Sequence, residues 1–245
     1  MITAIEQELS LHDELHTAVR LIQMGLKEVR NIDGGNDFYH PLMLTLASGI
    51  ERFMKVIICF HILETTGTFP SAYPWEVDRK KKGHDLVFLL GHITTHCFSD
   101  DYLRKIPVAK GDVDYLRNDT HVLEIVGILS AFGQSARYYN LDLIKGQKTY
   151  SCPRDEWQKL ESIILREKPD WQKLIHTDLN LEETYKHINQ EIIIRIEKFV
   201  RALSRLFTIG GLGEKAKQYS SAVFPFVQLS DDQLGKTEYR PKEAI

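Results

Sequence analysis

The sequence predicts an all-α protein: a helical bundle with a long C-terminal helix and an irregular tail. Three observations carry this. Apolar residues recur at three- and four-residue intervals along most of the chain. The runs are separated by clusters of Gly, Pro, Asn and Asp, which break helices. Neither a βαβ alternation nor an internal repeat interrupts the pattern.

In residues 3–31, Ile5, Leu9, Leu15, Val19, Ile22, Leu26 and Val29 share one face, and Asp33-Gly34-Gly35-Asn36-Asp37 stops the helix. Residues 42–64 form the helix around which the chain is organised. Leu42, Leu46, Ile50, Phe53, Val56, Ile57, Phe60 and Leu63 make one apolar face; Leu44, Met54, Ile58 and Ile62 make a second. A helix apolar nearly all round is buried on two sides. Residues 66–83 are a loop, with Trp75 as its anchor, and a helix follows over 84–97. Ser99-Asp100-Asp101 starts a short turn or helix. Asp112 is the N-cap expected for one long helix over 113–139, in which Gly127 and Gly133 permit close packing. A surface helix over 154–168 carries Trp157, Ile163, Ile164 and Leu165 and is closed by Pro169. Asn180-x-x-Glu183 resembles a capping box. It opens the last long helix, striped by Leu181, Tyr185, Ile188, Ile192, Ile196, Phe199, Leu203 and Leu206 and ended by Gly210, Gly211 and Gly213. Residues 222–245 are irregular, with AVFPFVQL as a possible extended piece whose Phe224, Phe226, Val227 and Leu229 suit docking on a partner or on the bundle itself. The expected division is a bundle over 1–145 and a helical extension over 146–245 packed on it.

Composition narrows the class. The 245 residues carry 31 Lys and Arg against 34 Asp and Glu, a net charge of −3, so no overall basicity points to nucleic acid and any contact needs a local patch. Cys59, Cys97 and Cys152 are odd in number and far apart, which suits a reducing compartment. The N-terminal stretch is acidic without a continuous apolar run, and the longest apolar run, around 56–60, is broken by Lys55 and His61. A cytoplasmic protein without membrane contact is the expectation.

Glu51 and Lys55 stand one turn apart on the second apolar face of the central helix, in the order that favours an ion pair. That face needs neighbours, and a second copy of the chain would supply them, so a homodimer is expected. The stretch SGIERFMKVIICFHILE, a basic loop and then Gly83-His84-Asp85-Leu86 resemble the HEPN superfamily (higher eukaryotes and prokaryotes nucleotide-binding domain), through Glu51, Lys55, His84, Asp85 and Leu86. The resemblance covers roughly residues 1–145. It implies a dimeric helical bundle and metal-independent RNA cleavage, often in toxins or phage-defence effectors, with an antitoxin or defence-system protein as partner and no cofactor. It also allows a non-catalytic module that binds a protein, nucleotide or RNA. The superfamily's Arg-polar-…-His motif is matched by Arg117, Asn118 and His121, at a shorter separation than usual. The resemblance makes His121 an acid or base, Arg117 the cation on the phosphate and Asn118 a stabilising donor.

By themselves, Arg117, His121 and Glu124 fall on one face of the expected long helix and suit either a salt-bridged surface or an anion site. Glu51 and Lys55 suit a partly buried structural pair, and His84 with Asp85 a helix start. The run Arg79-Lys80-Lys81-Lys82 is a solvated loop or a set of phosphate contacts. Arg195, Lys198, Arg201 and Arg205 line one side of the last helix. Arg137-Tyr138-Tyr139-Asn140 has the residues to stack a base. His92-x-x-x-His96 has zinc-compatible spacing but no third ligand motif, so no metal site is assigned.

Overall fold

The computed structural model describes residues 2–77, 83–147, 151–174 and 181–239, and every regular element among them is helical. Helix α1 (Ala4–Arg30) is opened by Thr3, whose hydroxyl accepts from the Glu6 amide while the Glu6 side chain returns to Thr3. Helix α2 (His40–Thr66) starts at Tyr39-His40-Pro41 and stops at Gly67, where φ is +72°. The two helices run antiparallel. Gly25 faces Leu46, Gly49 faces Ile22, and Glu14 pairs with Arg52 at 2.6 Å. The glycines set the closeness of this pairing: a methyl group on Gly49 would stand 2.8 Å from the Ile22 backbone nitrogen.

Both faces of α2 are buried. Leu46, Ile50, Phe53 and Ile57 lie in the core, and so do Met54 and Ile58; Leu44 alone of the second face is well exposed. The neighbours come from this chain: α1, α4 (Leu86–His96), α7 (Thr120–Gln134) and α12 (Gly213–Lys217). The two-sided helix therefore does not itself require a second subunit. Trp75 sits in a short helix, α3 (Pro74–Val77), within the expected loop. Ser99 caps α5 (Asp100–Lys105), accepting from the Tyr102 amide.

The long helix expected over 113–139 is instead several pieces. Helix α6 (Pro107–Asn118) begins at Pro107, and Asp112 lies inside it, its carboxylate 2.8 Å from Arg205. Asp119 takes the extended conformation and caps α7, accepting from the Val122 amide at 2.9 Å. A short polar side chain that bonds its own backbone competes with helix continuation, and here it wins. Past α7 come a 3₁₀ turn, Ala136–Tyr138, and α8 (Tyr139–Ile144).

Helix α9 (Pro153–Arg166) is amphipathic rather than superficial, with Trp157, Leu160 and Ile164 in the core. Pro169 opens α10 (Pro169–Leu174). Asn180 lies outside the described residues. Helix α11 (Leu181–Thr208) packs against α1, α6, α7, α9 and α13 (Ser220–Val227), joining both halves of the chain in one core from Leu11 to Leu234. The piece expected to be extended is helix α13 (Ser220–Val227), because Ala222, Val223 and Phe226 pack at helical spacing. Beyond it, Arg201 binds the Leu229 carbonyl at 2.7 Å and Arg30 the Gly235 and Thr237 carbonyls at 3.0 Å. The buried Glu197 accepts from the Gly235 amide and, at 2.6 Å, from the Tyr239 hydroxyl. Among the described residues no helix is long and apolar enough to cross a membrane.

Candidate functional site

The break at Asp119 removes the helical face that Arg117, His121 and Glu124 were expected to share. Arg117 lies in the last turn of α6, exposed, and its guanidinium donates to the Thr94 carbonyl of α4. Asn118 beside it is exposed. His121 opens α7, is buried, and places Nε2 2.8 Å from the Glu167 carboxylate that follows α9. Glu124 faces solvent. The partners of Arg117 and His121 lie on different elements, so these contacts tie α6 to α4 and α7 to the end of α9.

The structure does bring Glu51, Lys55 and His84 together. Glu51 is 15% exposed, and its two oxygens serve two partners: Oε1 lies 2.7 Å from Lys55 Nζ and Oε2 2.9 Å from His84 Nδ1. Lys55 is 26% exposed and its ammonium lies 5.0 Å from the centre of the Trp75 ring. Trp75 stacks on Tyr73, with centroids 4.5 Å apart and planes 7° from parallel. Gly83 allows this approach, since a side chain there would meet the indole at 2.9 Å. Asp85 caps α4 through the Phe88 amide at 3.0 Å and meets Ser130 of α7, whose hydroxyl also accepts from the Leu86 amide. His84 thus projects from a segment fixed to α2 and α7 and is 53% exposed.

Lys55, Tyr73 and Trp75 form one wall of an open groove of about 530 Å³, whose other lining includes Gln7, Ser10, Glu14, Cys59 and Phe69. Burial raises the Tyr73 phenol to about 12 and also raises the Cys59 thiol, so these two groups stay uncharged at neutral pH. Arg79, Lys80, Lys81 and Lys82 lie outside the described residues, between the segments that carry Trp75 and His84.

Cations on α11 are engaged within the protein. Arg195 pairs with Glu191, Lys198 lies 4.2 Å over the Tyr115 ring, Arg201 holds Leu229 and Asp231, and Arg205 holds Asp112. On α4, His92 and His96 stand with ring centroids 4.4 Å apart. Burial, then the charges of His96 and His61, depress His92 to about 4. Among the described residues no group of three or more His, Cys, Asp or Glu is arranged to hold a metal ion.

One buried carboxylate was not singled out from the sequence. Glu161 is 6% exposed and accepts from the Tyr39 hydroxyl at 3.0 Å; burial raises its pKa to about 7 against the pull of that bond. Its other oxygen makes no hydrogen bond, though the Trp157 indole also works against the rise. The signal was present: Trp157, Leu160, Glu161 and Ile164 share one stripe, so the carboxylate falls on the apolar side of α9. Comparison with protein-family models, curated proteins and solved structures finds no match to this chain.

Proposed function

We propose that the protein is a metal-independent RNA-cleaving module whose acid–base centre is Glu51, Lys55 and His84. The observation that carries this reading is the carboxylate of Glu51, mostly withdrawn from water, which holds Nδ1 of an exposed histidine and the ammonium of a lysine at once. A carboxylate on Nδ1 orients the ring and leaves Nε2 directed away from it. His84 Nε2 takes the proton of a 2′-hydroxyl as its oxygen attacks phosphorus. Lys55 stabilises the charge gathering on the phosphorane, and the 5′-oxygen leaves with a proton from water. The product is a 2′,3′-cyclic phosphate, and no metal takes part. Tyr73 and Trp75 give flanking bases an aromatic wall beside the groove.

A homodimer, an antitoxin or defence partner, and a cytoplasmic setting rest on the resemblance and composition. A second reading is a non-catalytic module that binds RNA. It is favoured by Arg117 and His121, the pair first expected to cut RNA, being engaged by Thr94 and Glu167.

The experiment is incubation of mixed single-stranded RNAs with purified protein in EDTA, with RNA binding measured in parallel. Cyclic-phosphate ends form with wild type. His84→Ala lowers the rate at least about 100-fold while Arg117→Ala retains it, the usual size of a lost acid–base group. RNA binding without cleavage establishes the second reading. Loss of cleavage in Arg117→Ala and His121→Ala, but not in His84→Ala, returns the centre to the α6–α7 junction.

A further inference from the structure

We propose that His12 and His16 of α1 form a clamp for one divalent transition-metal ion of the zinc, nickel and copper class. The clamp shares no residue with the Glu51 centre and does not depend on RNA cleavage. At about 100° per residue, both rings leave α1 on the side away from Gln7, Ser10 and Glu14, which line the groove.

The meeting of two ring nitrogens carries this inference. His12 Nε2 and His16 Nε2 are 3.1 Å apart, with ring centroids at 4.4 Å and planes 63° apart. Side chains four residues apart stand one above the other on a helix, which sets this approach. With metal–nitrogen bonds of about 2.0–2.1 Å, the separation corresponds to an N–metal–N angle of about 95–100°. That lies between a right angle and a tetrahedral one, so an ion can sit on both nitrogens with little movement of either ring. Without a metal the two nitrogens share one proton, because an N–H on each would place two hydrogens in the same gap. Burial, then the charges of His12 and Arg20, lower the His16 pKa against the pull of Asp13. The ring is thereby kept neutral, the form that ligates.

The surroundings hold the pair in place. The Asp13 carboxylate lies 3.7 Å from His12 Nδ1, the kind of neighbour a ligating histidine has on its other nitrogen. The ring of the buried Tyr219 stands 6.0 Å from that of His12. Glu8, one turn before His12, is engaged by Lys215 at 2.7 Å. His12 is exposed and His16 half-buried, so an ion reaches them from solvent. Among the described residues no third ligand is arranged beside them, and the remaining positions go to water. Imidazole nitrogens suit zinc, nickel and copper, whereas magnesium and calcium take oxygen ligands. His92 and His96 repeat the spacing on α4 with the same 4.4 Å between rings, but among the described residues no contact between their ring nitrogens accompanies it. They serve as the internal control.

The test is calorimetric titration of Ni²⁺ and of Zn²⁺ into the full chain at neutral pH, in buffer without chelator. One ion binds per chain in the tight step, and Mg²⁺ gives no heat. His12→Ala, an exposed change that leaves melting in metal-free buffer unaltered, weakens binding at least about tenfold, a loss of about 1.4 kcal/mol. His92→Ala leaves it unchanged. In proton spectra, substoichiometric Cu²⁺ broadens the imidazole signals of His12 and His16 before those of the other histidines. The proposal is overturned if neither Ni²⁺ nor Zn²⁺ binds at about 1 mM, the range of weak sites. It is equally overturned if Mg²⁺ binds as well as Ni²⁺, if His12→Ala binds like wild type, or if His92→Ala is the variant that loses the ion.

Discussion

Glu161 makes the stability of this fold depend on pH in a direction opposite to the usual carboxylate. Its pKa rises from the ordinary 4.5 to about 7 because burial outweighs the Tyr39 hydrogen bond. A folded-state pKa above the unfolded one means that the native state binds the extra proton. The stability this contributes is full below about pH 4.5 and is lost as pH rises through about 7. At about 1.4 kcal/mol per pH unit, the loss is about 3 kcal/mol. For a chain of this size that is a change of roughly 10 °C in melting temperature. Glu161→Gln removes the titration and keeps an acceptor for Tyr39. Its amide protons face the position where Glu161 has no partner, a cost of about 1–3 kcal/mol that does not vary with pH. The informative quantity is therefore the difference between wild type and variant in urea unfolding at pH 4.5, 6 and 8, in which every other titration cancels. The variant gains on wild type by about 3 kcal/mol from the lowest pH to the highest. A difference that stays constant, or moves the other way, refutes the buried and protonated carboxylate.

His92 works in the opposite sense: its folded pKa of about 4 lies below the unfolded 6.5, so stability falls as pH drops through that window, and His92→Gln reduces the fall seen in acid unfolding curves. Gly49→Ala gains about 1 kcal/mol of helix propensity, but the methyl meets the Ile22 backbone, which cannot rotate away. A net loss of about 1–2 kcal/mol in urea unfolding is expected. Lys55→Ala lowers stability by about 1–2 kcal/mol, less than the about 3–5 of a fully buried pair, because His84 stays on Glu51; an unchanged melting temperature would place the pair in open solvent. Arg205→Ala leaves Asp112 buried without its cation and costs about 3 kcal/mol, part of which Arg205→Ala with Asp112→Ala restores.

What was legible in the sequence was periodic. The helices, the two-sided burial of α2, the Glu51–Lys55 pair, the cap at Ser99 and the helix start near Asp85 follow from residues close in the chain, whose geometry is set by 3.6 residues per turn. What was not legible depended on choices between partners. Asp112 and Asp119 are both good caps by type. Asp112 instead meets Arg205, 93 positions away, and Asp119 takes the cap. That choice moves Arg117 and His121 off a common helix. The basic stripe of α11 reads from the sequence only as cations along one side of the helix; which partners they take, Asp231 and Leu229 for Arg201 and Asp112 for Arg205, is set by distant parts of the chain.

The same reasoning separates the candidate centres. A side chain can act on a ligand only with donors or ring atoms left over after the fold has used it. Arg117 spends one of its five N–H donors on a carbonyl and stays exposed, whereas His121, its supposed acid–base partner, is buried with Nε2 already on a carboxylate. At His84 the carboxylate meets Nδ1, and Nε2 remains on a ring more than half exposed. His12 and His16 likewise keep Nε2 for each other rather than for a carboxylate. The residues that remain available are those whose neighbours fix their position without consuming their chemistry. By that criterion the His84 centre and the His12–His16 pair stand ahead of the α6–α7 junction. Replacing Glu51 by Gln tests the distinction at His84: the ring keeps a hydrogen-bonding neighbour of the same shape, so RNA binding persists. Cleavage, if carboxylate charge steadies the imidazolium formed when Nε2 takes the proton, falls by about 10²-fold or more. Equal loss of binding and cleavage would reduce Glu51 to a structural brace.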